Sequence, residues 1–172
     1  MTELNIKLTN LKKGSNETLF NIKDEFFKEF NFSEVKNADF EIKSNLIKSD
    51  HDLSLSISID GIVKNISCDH CAEDIAIPIK SNHLFVLKQI NDNSIIDDNK
   101  IYFDLNDLEI DVKHLIYELI SLAIPNKRSH KSINKASECN KDMLSLINNF
   151  SFRDKKDGID PRWSDLKNIE LK

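Results

Sequence analysis

Two cysteines, Cys68 and Cys71, stand two residues apart in the stretch ISCDHCAED at residues 66–74. A thiol pair at this spacing can supply half of a tetrahedral zinc site, or it can cycle between dithiol and disulfide. It can also be two small apolar side chains, because free cysteine is among the residues most often buried. The spacing alone leaves these three interpretations open.

The residues around the pair make redox catalysis the least favoured of the three. A redox dithiol needs its first cysteine at a helix N-terminus, where the helix dipole stabilises a thiolate. The segment that follows the pair, AEDIAIPI, alternates with period two and contains Pro78, which predicts a strand. A metal knuckle needs a tight turn between two strands, and the sequence predicts that context.

The other ligands of a zinc site would have to come from the region after Pro125. Zinc in a structural site takes four ligands, and Cys139 is the one further cysteine of the chain. His130 precedes it by nine residues, a step unlike common zinc spacings. The candidate zinc ligands are Cys68, Cys71, His130 and Cys139. A metal-free pair of packed thiols stays open as the alternative.

Length and composition are those of a globular protein of the cytoplasm. The chain has 172 residues, of which 40% are hydrophobic and 31% charged, and this length usually makes one domain with an ordinary core. Three cysteines are an odd number, which argues against a disulfide framework and fits a reducing compartment. No window approaches the roughly 20 apolar residues of a membrane span. We therefore expect one cytoplasmic domain over residues 1–172, with no membrane partner.

Residues 1–105 are predicted to be mainly β. Residues 53–59 alternate as LSLSISI, Asp60 and Gly61 follow, and the alternation resumes towards Cys68, which predicts a β-hairpin with a two-residue turn. This register ends a strand at Cys68 and leaves the cysteine pair in a connection between strands. Other predicted strands are 4–9, 40–48, 75–79, 83–87 and 101–105, with a short helix around residues 22–30.

Residues 106–172 are predicted to be mainly helix and loop. Six apolar residues recur at helical spacing between Val112 and Ala123, and Pro125 stops the pattern. One face of this helix, near residues 111–124, should pack on the sheet, because neither apolar surface can be left in water. The predicted fold class is α+β, a mainly antiparallel sheet packed against this helix, followed by a less regular helical region.

Two short segments are candidates for binding RNA or a protein partner. The net charge of −5 argues against indiscriminate binding to nucleic acid, so any RNA contact must be local. Lys127, Arg128 and Lys131 form a basic run that is also typical of a solvated loop. In DPRW, Arg162 stands beside Trp163, a pairing common at binding hot spots and able to stack on bases. The tryptophan could equally pin the tail to the body of the protein.

The sequence carries no catalytic pattern. Three glycines are too few for a Gly-rich phosphate loop, and no nucleophile stands beside a recognisable base. The acidic residues are scattered over surface positions, so pairing two of them as acid and base would be arbitrary. We therefore predict no catalytic residues, no enzyme and no small-molecule substrate.

The order of these motifs resembles the YceD-like family, the large-ribosomal-RNA-subunit accumulation proteins of bacteria, found also in plastids. The resemblance rests on the strand-borne C-x-x-C, an acidic loop, the helix DLEIDVKHLIYELISLAIP, the following His130 and Cys139, and DPRWSDLKNI. It runs from about Ile57 to Ile169. Glu118 matches the family's acidic position in the helix, although by itself it is typical of a surface carboxylate.

The resemblance implies a non-enzymatic role in ribosome biogenesis. Its partner would be the precursor of the large-subunit ribosomal RNA or an assembling ribosomal protein. The chain departs from members that carry a second C-x-x-C, and it has Asp69 and His70 where many members place an arginine. Two alternatives stay open: a protein-interaction adaptor unrelated to ribosomes and, least favoured, a C-x-x-C thiol redox protein.

Overall fold

The computed structural model describes residues 3–31, 33–90, 100–104, 106–133 and 138–151. Within these ranges the chain forms seven strands and four helices. The strands are β1 (Asn5–Lys7), β2 (Gly14–Lys23), β3 (Asn37–Lys48), β4 (Leu53–Ser67), β5 (Asp74–Gln89), β6 (Lys100–Phe103) and β7 (Glu109–Asp111). The helices are α1 (Asp24–Phe27), α2 (Lys113–Ala123), α3 (His130–Ile133) and α4 (Lys141–Phe150).

Five of the strands form one sheet in the order β2-β3-β4-β5-β6. The first four are antiparallel neighbours, whereas β6 runs parallel to β5 and pairs with its last four residues, Val86–Gln89. Strands β1 and β7 form a separate antiparallel pair. The architecture confirms the predicted α+β class with a mainly antiparallel sheet.

The core lies on one face of this sheet, where alternate residues of the strands are buried over long stretches. Across β3, β4 and β5 the buried side chains include Phe40, Ile42, Leu55, Ile57, Ile59, Val63, Ile77 and Ile79. Helix α1 adds Phe26 and Phe27 to the same cluster, and α2 adds Ile116, Leu119 and Ile120. Helix α2 contacts β5. The prediction that this helix packs its apolar face against the sheet is therefore confirmed.

The predicted hairpin turn at Asp60 and Gly61 is wrong, because both residues lie inside the continuous strand β4. Gly61 pairs with Phe40 of β3, and a Cβ added to it would lie 2.3 Å from the carbonyl oxygen of Asp39 and 2.4 Å from the ring of Phe40. The glycine therefore serves close packing between strands. The Asp60 carboxylate accepts a hydrogen bond from Lys80 Nζ of the neighbouring strand, at 2.8 Å.

Other predicted boundaries also differ from the structure. The predicted strands 75–79 and 83–87 are one strand, β5, and strand β2 was not predicted. Ile22, predicted to be helical, belongs to β2, so the helix is reduced to α1. Pro78 is tolerated within β5 because, among the described residues, only β4 pairs with that part of the strand, and an edge position needs no second donor.

Residues up to Cys139 form one compact unit, and Asn140 begins a second. The described part of the second unit is α4, whose N-cap Asn140 accepts hydrogen bonds from the backbone N–H groups of Asp142 and Met143. No residue of α4 is buried. Among the described residues, no helix has the length and apolar content needed to cross a membrane.

Candidate metal centre

The first two candidate ligands lie in a tight turn that joins β4 to β5. The backbone N–H of Cys68 donates to the carbonyl oxygen of Glu73 at 2.8 Å, and the N–H of Ala72 donates to the carbonyl of Cys68 at 2.9 Å. Ala72 adopts the left-handed conformation, with φ of 59°. The turn buries both thiols, with Cys68 and Cys71 only 3% and 1% exposed. The predicted position of the pair, between two strands, is confirmed.

The third ligand, His130, is the first residue of α3. Ser129 stands before it, and the hydroxyls of Ser129 and Ser132 each accept a hydrogen bond from the other's backbone N–H, at 3.2 and 3.0 Å. This reciprocal cap satisfies N–H groups that a helix start leaves unpaired, so the short helix begins at a defined residue. His130 is thereby held at a fixed point just beyond α2.

Two hydrogen bonds between Asp69 and the backbone of Arg128 join the cysteine turn to the segment before His130. The N–H of Asp69 donates to the carbonyl oxygen of Arg128 at 2.7 Å, and the N–H of Arg128 donates to the Asp69 carboxylate at 2.6 Å. Asp69 lies between the two cysteines. These two hydrogen bonds therefore tie the cysteine turn to the α2–α3 connection.

The four candidate ligands come together in one cluster. Their ligand atoms all lie within 4.8 Å of one another. Sγ of Cys68 lies 3.8 Å from Sγ of Cys139, and Sγ of Cys71 lies 3.5 Å from Nδ1 of His130. Around a tetrahedral zinc, with bonds of about 2.3 Å to sulfur and 2.0–2.1 Å to nitrogen, two sulfurs lie about 3.8 Å apart and a sulfur and a nitrogen about 3.6 Å apart. The cluster could therefore hold one tetrahedral metal ion.

The thiols differ in acidity. Burial by itself raises the pKa of Cys68, but hydrogen bonds from the backbone of His70, Cys71 and His130 and from the His130 side chain together lower it to about 6. Burial, followed by hydrogen bonds and charge repulsion from the sulfurs of Cys68 and Cys71, raises the pKa of Cys139 to about 11. At neutral pH, Cys68 is thus a thiolate, and a metal entering the cluster would displace a proton from Cys139.

The surroundings of Cys68 disfavour redox catalysis. A reactive cysteine of the C-x-x-C kind is partly exposed and begins a helix. Here Cys68 is almost fully buried and is followed by a turn and then by β5. The lowered pKa of Cys68 therefore suits a metal ligand better than a nucleophile.

Some of the residues predicted to bind a partner are described by the structure and others are not. Lys127 and Lys131 are exposed on either side of Arg128, so the basic run borders the ligand cluster. Glu118 is exposed on α2. Arg162 and Trp163 lie outside the described residues.

A surface cavity of about 280 Å³ beside the cluster was missed by sequence reasoning. Its lining comes from the α1–β3 connection, from α2 and from the residues up to Arg128. NH1 of Arg128 lies 3.1 Å from a carboxylate oxygen of Glu34, and Nε of Arg128 is buried without a hydrogen-bond partner among the described residues. Nothing in the sequence marks Glu34 and Tyr117 as lining a cavity with Arg128, because only the fold brings the three residues together.

A model of the large ribosomal RNA subunit accumulation protein family, YceD, matches residues 55–170. The match covers more than half of the chain and includes the cysteine turn and the segment that carries His130 and Cys139. No curated protein matches the chain, and no solved structure does.

Proposed function

The chain belongs to the YceD family of large ribosomal RNA subunit accumulation proteins, and from this membership we propose that it is a non-enzymatic factor in making the large ribosomal subunit. It supports accumulation of the large-subunit ribosomal RNA by binding the precursor particle, through the RNA or through an assembling ribosomal protein. The family match over residues 55–170 carries this proposal. The place of action is the cytoplasm.

The distribution of charge supports a local contact with the particle. The chain carries a net charge of −5, so a broad electrostatic grip on RNA is disfavoured. Lys127, Arg128 and Lys131 nevertheless lie within five residues of one another, beside the ligand cluster. Glu118 and the DPRW segment are further candidate contacts, and the family resemblance is the reason for including them.

A structural zinc ion is the second part of the proposal. Three thiols and one imidazole match the ligand preference of zinc, and four protein ligands leave no open position for catalysis. The Sγ–Sγ distance of 3.8 Å and the Sγ–Nδ1 distance of 3.5 Å support a shared tetrahedral ion. The ion would clamp the segment after α2 to the turn between β4 and β5, and so hold the basic run at a fixed place on the sheet.

Elemental analysis of protein purified without chelator tests the zinc. We expect about one equivalent of zinc per natural chain and loss of that zinc in His130→Ala, because three ligands hold zinc far more weakly than four. His70→Ala is the matched control, since His70 lies in the same turn but its ring is not part of the cluster. Less than about a tenth of an equivalent in the natural chain would reject the metal site.

Co-sedimentation tests the role in the ribosome. Lysate of the source cells is separated on a gradient at low magnesium and moderate salt, and the protein is followed by immunoblot. We expect it to migrate with precursors of the large subunit and to be depleted from mature particles. A protein that stays at the top of the gradient while precursors are present would overturn the proposal and favour the unrelated adaptor.

A further inference from the structure

We propose that the cavity beside the metal centre binds a single unpaired guanine base of RNA, read by the adjacent side chains of Arg128 and Glu34. The inference rests on the proposed function, since it takes precursor RNA to be the direct partner. Beyond the proposed function, it specifies the base that is bound, the residues that recognise it and the way in which the metal centre positions those residues.

The size and lining of the cavity suit one base. Its volume of about 280 Å³ lies just below the roughly 300–1,000 Å³ typical of sites for drug-sized ligands. Its polar and aromatic lining is supplied by Ser33, Glu34, Tyr117, Ser121, Asn126 and Arg128. RNA is read mostly through unstacked bases of single strands, which meet aromatic or arginine planes and are hydrogen-bonded on their edges.

The arginine and the glutamate present a donor directly beside an acceptor. The two groups are 3.1 Å apart, so a ligand that engages both must carry an acceptor next to a donor. Guanine carries its O6 acceptor next to the N1–H and N2–H donors, and a carboxylate can accept from both donors at once. Arginine pairing to O6 and N7 is the commonest specific contact to guanine. No other standard base has two neighbouring ring-edge N–H donors.

The same pair disfavours a phosphate as the occupant. A phosphate bound to Arg128 would lie close to the Glu34 carboxylate, which is itself 3.1 Å from NH1 of Arg128, and like charges at short range repel. A neutral base avoids this repulsion. Lys127 and Lys131, which are exposed and lie one and three residues from Arg128 in the sequence, remain available for the flanking phosphates.

The backbone beside Glu34 and the ring of Tyr117 are held in place before the ligand arrives. The turn that carries Glu34 is closed by Ser33, whose hydroxyl is 3.2 Å from both the N–H and the carbonyl oxygen of Val35. The ring of Tyr117 is stacked on Phe30, with centroids 3.9 Å apart and planes within 5°. Such prior ordering reduces the entropy that binding would otherwise lose.

Arg128 is fixed by the metal centre itself. Its backbone N–H donates to the Asp69 carboxylate and its carbonyl oxygen accepts from the N–H of Asp69, which lies between two of the candidate ligands. Arg128 is also only two residues from His130 in the sequence. Its Nε is buried and lacks a hydrogen-bond partner among the described residues, a state that buried donors rarely keep. Loss of the metal should therefore weaken guanine recognition without any change in the cavity's own side chains.

Fluorescence anisotropy with labelled single-stranded RNA tests the inference. The probes are short uridine strands with one central guanosine, inosine or adenosine. Inosine keeps O6, N1–H and N7 but lacks the N2 amino group. We expect the natural protein to bind the guanosine strand about 10-fold or more tightly than the inosine strand, in line with a bidentate base contact.

Variants assign that preference to the cavity. Glu34→Gln should remove most of the difference in affinity between the guanosine and inosine strands. Arg128→Lys should weaken binding of the guanosine strand, because lysine cannot form the planar fork of an arginine. Glu41→Gln is the matched control: Glu41 is an exposed glutamate of β3 paired with Lys43, and binding should not change. Thermal melts of each variant confirm that the folded fraction is being compared.

Equal binding of guanosine and inosine strands by the natural protein would overturn the inference, as would a Glu34→Gln variant that weakens all strands alike. Absence of any RNA binding would also overturn it and point to a ribosomal protein as the partner. In each of these cases co-sedimentation with large-subunit precursors would still uphold the proposed function. Failure of co-sedimentation alone, with the guanosine preference intact, would reject the proposed function and keep the base site.

Discussion

At the scale of single residues, the unequal acidity of the thiols is open to direct measurement. In metal-free protein we expect thiolate absorbance to appear with a midpoint near pH 6, from Cys68, because four hydrogen bonds stabilise its charge. A further step near pH 11 should come from Cys139. Cys68→Ser should abolish the first step, whereas Cys139→Ser should keep it. Absence of any step between about pH 5 and 7 would contradict the assignment.

The same acidity affects stability in a defined direction. Since the folded-state pKa of Cys68 is lowered from 9.0, its contribution to stability is full above pH 9 and is lost as the pH falls through about 6. Cys139 acts in the opposite sense: its contribution is full below pH 9 and is lost as the pH rises through about 11. In the metal-free protein the two contributions together should therefore be largest near pH 9.

Gly61 is a second residue whose role can be measured. We expect Gly61→Ala to lower the free energy of unfolding by about 3 kcal/mol or more, because the added methyl meets backbone atoms of β3 that cannot move aside cheaply. The adjacent Asp60→Ala should change it by less than about 0.5 kcal/mol, since its ion pair with Lys80 is exposed. Urea titration of both variants provides the measurement. Equal and small effects would restore the turn interpretation.

The cluster of candidate ligands could be predicted from sequence, whereas the cavity could not. Cysteines and histidines are few, so Cys139 and His130 were the natural partners for the C-x-x-C pair, although nothing local showed that they would reach it. Glu34 is one of many exposed acidic residues, and its pairing with Arg128 arises from tertiary packing alone. Asp69 was taken only as a departure from the family pattern, because its hydrogen bonds to the distant backbone of Arg128 leave no local signal in the sequence.

At the scale of elements, α2 offers two leucines that differ in burial. Leu119 is 6% exposed and Leu122 is 80% exposed on the same helix. Leu119→Ala should cost about 2–5 kcal/mol, as for other buried leucines. Leu122→Ala preserves the helix and removes no core contact, so it should stay within about 0.5 kcal/mol. Thermal or urea unfolding of the pair decides the matter, and similar costs would mean that α2 is not packed as described.

The elements that were predicted well are those with one strong period. Helix α2 follows from its apolar spacing, and the buried face of β3 follows from alternation. Strand β2 was missed because Ile22 is its single buried residue, so its pattern carries little contrast. The Asp-Gly pair in β4 was taken as a break, whereas close packing against Phe40 accommodates it within the strand. Pro78 lies in β5 as predicted, at a position that only β4 pairs with among the described residues.

At the scale of the whole molecule, zinc removal should loosen one region before the sheet. With chelator we expect the amides of Asp69 and Arg128 to exchange with solvent about 10-fold or more faster, because the bonds between them depend on the clamped segment. Amides in the centre of β4 should keep their protection. Hydrogen exchange read by mass spectrometry or NMR measures both.

His130→Ala without chelator is the control for that experiment and should show the same local acceleration. If β4 and the Asp69 region accelerate together, zinc would be holding the entire fold and not one segment. If neither accelerates, the metal would contribute nothing to the order of the α2–α3 connection.

The four candidate ligands are synthesised at different times during translation, because they lie far apart in the sequence. The central strands are complete once Gln89 has been made, but the last ligand, Cys139, comes about fifty residues later, which at roughly 5–20 residues per second is about 3–10 seconds. For that interval the nascent chain carries a cysteine pair with only half of its partners. Binding of a metal by all four candidate ligands therefore has to wait until Cys139 has been made.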